Sequence, residues 1–122
     1  VPATERCQAV AGNFFESVAE GGDLYVLKHI LHDWDDELCV EILNNIAVGL
    51  AAGGKVLVIE MLVAPDNVPD PAKWLDLHML AMPGGKERTA EEFAALFARA
   101  GLKLLRVTPT PSGMWLIEAG AV

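Results

Sequence analysis

Apolar positions follow two rhythms along the chain. Residues 23 to 31 (DLYVLKHIL) and 55 to 63 (KVLVIEMLV) are nearly unbroken runs of strand formers. Runs without clean alternation suit strands buried on both faces of a parallel sheet. Between them Leu38, Ile42, Ile46 and Leu50 recur every four residues, and Leu43 and Ala47 widen that stripe, so the spacing predicts an amphipathic helix. Asp33 stands where it can cap this helix, with Asp35, Asp36 and Glu37 in the first turn, where acids complement the positive end of the helix dipole. Gly53 or Gly54 supplies a left-handed stop.

The same reading extends to both sides. Residues 5 to 11 (RCQAVAG) suggest a short strand followed by a glycine. Beyond the proline-rich loop APDNVPDP, the cluster Trp74, Leu75, Leu77, His78, Met79 and Leu80 suggests a short helix. Thr89 with Glu92 forms a capping box, and Phe93, Leu96, Phe97 and Ala100 form the apolar stripe of the helix that follows, which Gly101 ends. LKLLRV (102 to 107) and MWLIEA (114 to 119) are strands joined by TPTPSG as a hairpin. Alternating strands and helices imply an α/β sheet with helices on both faces. A connection of six residues cannot cross over between parallel strands, so one of the closing pair runs antiparallel.

Composition narrows the function classes. The chain has 122 residues and suits one domain. Its net charge is -8, with 9 basic and 17 acidic residues, and no cluster of Lys and Arg. Nucleic acids and anionic membranes are therefore not expected as partners. The apolar stretch around Val56 to Ala64 is interrupted by Glu60 and falls short of the roughly 20 residues a membrane helix needs. No signal peptide is visible, and Cys7 and Cys39 show no pairing pattern, so reduced thiols in a cytoplasmic protein are expected.

In open α/β sheets, ligands bind beyond the carboxyl ends of the strands. Three places qualify: Lys28, His29 and His32 after the first apolar strand, Glu60 at the end of the second, and Glu87 in the loop PGGKER. One helix joins the two strands, which makes them neighbours and brings His32 and Glu60 within side-chain reach. A carboxylate beside a histidine fixes its tautomer and supports its protonated form, the usual construction of a general base. The plainer readings stand beside this one. A carboxylate ending an apolar strand often only caps or pairs locally. His29 alternates with Lys28 and is expected to pack on a helix. On this plainer reading Trp34 is a staple on the helix start, and Phe14 and Phe15 are plain core. His29, His32, Asp33 and His78 offer metal-ligand types with no spacing that fixes a geometry, so no metal is expected.

The blocks LYVLKHILHDWDDE, GGKVLVIE, PGGKERTAEEF and AGLKLLRV, in this order, resemble the S-adenosylmethionine-dependent O-methyltransferases of the plant phenylpropanoid and bacterial polyketide type. The likeness runs over nearly the whole chain. It implies a Rossmann-like class I methyltransferase sheet with a terminal antiparallel hairpin, of which residues 1–122 would be the C-terminal part of the catalytic domain. The family's glycine-rich cofactor loop and N-terminal dimerisation domain have no counterpart in these residues. The resemblance implies His32 as catalytic base, with Glu60 and Glu87 as the acids flanking it. Lys28 would contact the methionine part of the cofactor, the segment GNFFE with Asn13 and Phe14 its adenine, and Trp34 would pack nearby. Asp33, Met79 and Met82 fall where the family lines its acceptor pocket. The family usually has an aspartate where this chain has Asn13, which removes a charge from the cofactor site. The implied activity is methyl transfer from S-adenosylmethionine, with S-adenosylhomocysteine as product, to a small hydroxylated acceptor by a homodimeric enzyme. The chain alone is expected to be inactive. Two alternatives are a relative that binds the cofactor but hydroxylates or decarboxylates, and a truncated non-catalytic interaction module.

Overall fold

The computed structural model describes residues 6–63, 72–73 and 86–122. Within them the chain forms β1 (Gly22–Lys28), a 3-10 turn (Leu31–Asp33), α1 (Asp36–Gly49), β2 (Leu50–Glu60), α2 (Ala90–Arg99), β3 (Leu102–Pro109) and β4 (Trp115–Ala121). The sheet order is β1-β2-β4-β3. β1 and β2 run parallel, and β4 runs antiparallel to both β2 and β3, so β4 is the reversed member of the closing pair. The short helix suggested near residues 74 to 80 lies outside the described residues.

Register explains the core. Val56 faces Ala119 and Val58 faces Ile117 across the β2–β4 ladder, and all four side chains are buried. Ile42, Leu43 and Ile46 of α1 and Phe93, Leu96 and Phe97 of α2 join them in one cluster. Each of these helices thus presents its apolar stripe to the same layer, and burial of that area is the main force holding it. Helices α1 and α2 both lie on this face. The opposite face carries Leu24 and Val26, at 53% and 52% exposure, and Leu105 at 49%. β1 is therefore half-covered and lies at the sheet edge, in contrast to the strand buried on both faces that its composition predicts.

Several boundaries differ from the sequence reading, each for a local reason. β1 stops at Lys28, because His29 adopts a left-handed φ of 54° and turns the chain out of the sheet. Asp33 belongs to the 3-10 turn, and the cap of α1 is Asp35, whose carboxylate accepts the Leu38 N–H at 2.9 Å. α1 ends at Gly49, before either predicted stop. Gly53 and Gly54 instead form an irregular entry to β2: Gly22 pairs with Leu50 and Leu24 already with Lys55. Gly53 has φ +74°, and a Cβ on Gly54 would meet the Ala51 carbonyl oxygen at 2.9 Å, so both positions demand glycine. Residues 6 to 11 form no strand beyond an isolated bridge at Cys7, and their exposed side chains have no face to bury. The second apolar run leaves the sheet at Glu60, and Leu62 then bridges to Arg88. The capping box is as predicted: Thr89 Oγ1 accepts from Glu92 N–H at 3.2 Å, and Glu92 Oε1 accepts from Thr89 N–H at 3.0 Å. Cys7 and Cys39 are both unpaired. Burial pushes the Cys39 thiol up to about 11, and its S–H donates to the Leu31 carbonyl at 3.1 Å. No described helix is long and apolar enough to cross a membrane.

Candidate active site

The site forms where parallel β1 and β2 end side by side. The His29 N–H makes the last sheet bond, to the Ile59 carbonyl at 3.1 Å. The left-handed residue and the 3-10 turn then carry His32 across the end of β2. Its own N–H donates to Glu60 Oε1 at 3.3 Å. Glu60 is fully buried and His32 is 8% exposed. From the other side, Lys86 N–H donates to the His32 carbonyl at 2.9 Å, which brings the next residue, Glu87, against the ring.

Around the imidazole the contacts are unequal. Glu87 Oε1 lies 2.6 Å from Nδ1, a charge-assisted distance. Glu60 Oε2 lies 3.6 Å from the same nitrogen and has no hydrogen-bond partner. Asp33 Oδ1 lies 3.3 Å from Nε2. Both acids proposed from the sequence therefore meet His32, but the hydrogen-bonded one is Glu87, whereas the strand-end argument rested on Glu60. With Nδ1–H donated to Glu87, the neutral ring keeps its Nε2 lone pair as acceptor.

Electrostatics follow from burial and these neighbours. Burial pulls the His32 pKa down, but the Glu87 hydrogen bond and the charges of Glu60, Glu87 and Asp33 outweigh it, and the net direction is upward. Burial pushes the Glu60 carboxyl up to about 7, against the opposing charge of His32 and with the help of Glu87. The group is thus an imidazole held between two carboxyls, able to take up a proton at Nε2 and stabilise the cation that results.

The other predicted residues fall in two groups. Asn13 and Phe14 open a tight turn: Asn13 Oδ1 accepts from Phe15 N–H at 3.0 Å, and the Asn13 carbonyl accepts from Glu16 and Ser17. Asn45 of α1 donates to the Phe14 carbonyl at 2.8 Å and fixes this turn to the helix. Phe15 stands edge-on to Phe14 and to Trp34, each at 4.9 Å between centroids, so Trp34 joins the turn to the His32 segment. Beside the turn lies a cavity of about 440 Å³ lined by Val10, Gly12, Asn13, Phe14, Ser17 and Val18, among others. Lys28 is exposed at the end of β1. Met79, Met82 and His78 lie outside the described residues. The His29 ring sits 5.1 Å from that of His32. Ligand atoms of His29, His32 and Glu60 come within 4.8 Å of one another, but His32 Nδ1 is already engaged by Glu87.

Sequence reasoning missed Arg88 and Asn45. Arg88 is fully buried, and its guanidinium bonds to Asp36 and to backbone carbonyls around His32. A single arginine in a loop motif carries no signal that separates a buried hub from a solvated charge. Asn45 is likewise one polar position on a helix flank.

A parallel pair extended by an antiparallel hairpin, with a histidine between two acids at the parallel strand ends, defines a mixed α/β fold with a buried titratable cluster. The profile of the O-methyltransferase domain family matches residues 1–103, and the chain belongs to that family. It is 48% identical over 115 residues to the phenazine O-methyltransferase PhzM of Lysobacter antibioticus, covering 94% of this chain and 34% of that protein. The crystal structure of LaPhzM superposes with a TM-score of 0.93 at 47% identity, over 97% of this chain and 36% of that one. NcsB1 from neocarzinostatin biosynthesis, solved with S-adenosylmethionine and 2-hydroxy-5-methyl naphthoic acid, gives a TM-score of 0.85 at 39% identity, over 96% and 34%. The chain thus spans about a third of the length of the relatives it matches.

Proposed function

We propose that the chain is the C-terminal part of the catalytic domain of an S-adenosylmethionine-dependent O-methyltransferase, acting on a hydroxyl of a small aromatic or polyketide-like acceptor with His32 as general base. The observation that carries this reading is the buried His32, held through Nδ1 by Glu87 at 2.6 Å with Glu60 beside it. The family supplies the reaction class, and the naphthoic acid bound to NcsB1 supports an aromatic acceptor.

The residues present suit the cofactor. The turn at Asn13 and Phe14 presents an aromatic edge and an exposed amide beside a cavity large enough for a purine, Trp34 packs against that turn through Phe15, and Lys28 is exposed at the end of β1. Bound S-adenosylmethionine would supply an electrophilic methyl on a sulfonium. The chain's own part is the proton. A phenol has a pKa of about 10 and a histidine about 6.5, so complete deprotonation beforehand costs about 5 kcal/mol. His32 Nε2 would instead take the hydroxyl proton during transfer, as the methyl exchanges its C–S bond for a C–O bond and S-adenosylhomocysteine leaves, and Glu87 and Glu60 stabilise the imidazolium. Asp33, 3.3 Å from Nε2, lies where the acceptor hydroxyl must approach, and with Met79 and Met82 it would line the acceptor pocket.

The test is His32→Ala in the intact enzyme, followed with a methyl-labelled cofactor. Transfer should fall by about 10²- to 10⁴-fold, while calorimetry with S-adenosylhomocysteine gives nearly unchanged affinity. Near-normal transfer by this variant would remove His32 from the role of base.

A further inference from the structure

We propose that Arg88 is the positioning residue of this site: its guanidinium joins the turn that carries His32 to the segment that carries Glu87, and so sets the His32–Glu87 contact. The inference rests on the reading of His32 as the proton-handling group.

Arg88 spends its donors on three pieces of chain. Nη1 donates to the Leu31 carbonyl at 3.0 Å and to the Lys86 carbonyl at 3.3 Å. Nη2 donates to the Trp34 carbonyl at 2.9 Å and to Asp36 Oδ1 at 2.9 Å, and Nε donates to the same carboxylate oxygen at 3.1 Å. The carbonyls of Leu31 and Trp34 bracket His32 in the chain, and that of Lys86 immediately precedes Glu87. The Arg88 carbonyl in turn accepts from Val63 N–H at 2.9 Å, just past the end of β2 at Glu60. The segments that supply the imidazole and Glu87 therefore meet at one guanidinium, and the segment that follows Glu60 is tied to the Arg88 backbone.

Only a planar group with five donors in fixed directions can hold such a set at once. A lysine would carry the same charge from a single flexible point. Asp36, at the start of α1, anchors the far side, so the rigid helix becomes the reference against which turn and loop are aligned.

The role has a sign that separates it from plain electrostatics. If Arg88 acted only as a nearby cation, its removal would make protonation of His32 easier and raise the histidine pKa. If it acts as a positioning residue, its removal loosens the Glu87 hydrogen bond and lowers that pKa. The experiment is a pH titration of the His32 ring by NMR in the wild-type protein, Arg88→Met, Arg88→Lys, Glu87→Gln and the Arg88→Met/Glu87→Gln double variant, with circular dichroism to establish folding. Arg88→Met should lower the His32 pKa by about one pH unit, in the same direction as Glu87→Gln. The double variant should move it little further than Glu87→Gln alone, because both changes break one contact. If Arg88→Met does not fold, Arg88→Lys, which keeps the charge and loses the fork, should show a smaller lowering. An unchanged or raised pKa in a folded Arg88 variant, or fully additive shifts in the double, overturns the proposal. Because the titration reads the ring and not turnover, failure of His32 as base leaves this result interpretable on its own.

Discussion

Two ion pairs of the same length stand in different surroundings in this molecule. His32 Nδ1 lies 2.6 Å from Glu87 at the carboxyl ends of β1 and β2, and Arg106 Nε lies 2.6 Å from Glu118 across the closing hairpin. The first has side chains 10% and 1% exposed, whereas Arg106 is 72% exposed. Water screens the hairpin pair and solvates either partner if the other is lost, so its geometry carries little free energy. At the strand ends, the same distance perturbs ionisation, because desolvation magnifies every charge that remains. The lesson is that burial, and not the distance of a contact, decides which charges of this chain can do chemistry.

That contrast can be broken most decisively at Arg88. Arg88→Met removes a buried cation and strands the carbonyls of Leu31 and Trp34, so urea unfolding should show a loss of about 3–5 kcal/mol. A loss below about 1 kcal/mol would place the buried network on a par with the surface pair. The next effect is pH-dependent. His32 and Glu60 both bind a proton more tightly in the folded state, so their contribution is full below the unfolded pKa values and is lost as pH rises through the folded ones. Stability should therefore fall as pH rises from about 4.5 to past the Glu60 value of about 7. Glu60→Gln should flatten that slope and leave the variant more stable than wild type above pH 7, by on the order of 2 kcal/mol. A slope unchanged in Glu60→Gln would mean that the buried carboxyl is not its source. Asp36 has the opposite sense: burial works against it, but the Arg88 pair holds its pKa down, so its contribution disappears only in more acid solution. Thr89→Ala should cost about 1 kcal/mol through the lost cap of α2, seen as a small drop in the unfolding midpoint. Arg106→Ala, the smallest, should lie within about 0.5 kcal/mol of wild type, and a larger cost would blur the distinction between the two pairs.

Much of this arrangement is legible in the residues. The four-residue spacing from Leu38 onward locates α1, and Thr89 with Glu92 locates the start of α2 to the residue. The apolar runs locate β1 and β2, and one intervening helix implies that they are neighbours, which puts His32 near Glu60. Where the reading slips, two local structures compete at similar cost. Asp33, Asp35 and Asp36 are all competent caps, and the choice falls to Asp35 because a 3-10 turn takes up Asp33 first. His29 looks like one more strand residue until its left-handed φ ends the strand. Gly53 and Gly54 look like a helix stop, but Gly53 serves a left-handed turn and Gly54 a close approach of β2 to the chain at Gly22.

By itself, then, the sequence determined α1, α2 and the four strands of the sheet, the capping box, the family and the three groups that meet at His32, because these depend on periodicity and on side-chain chemistry confined to a few neighbouring positions. Only the tertiary structure decided that Glu87 and not Glu60 holds the hydrogen bond of the His32 ring, and that Arg88 is a buried hub. Those contacts join residues more than fifty positions apart, and their strength is set by the exclusion of water, which no local pattern encodes.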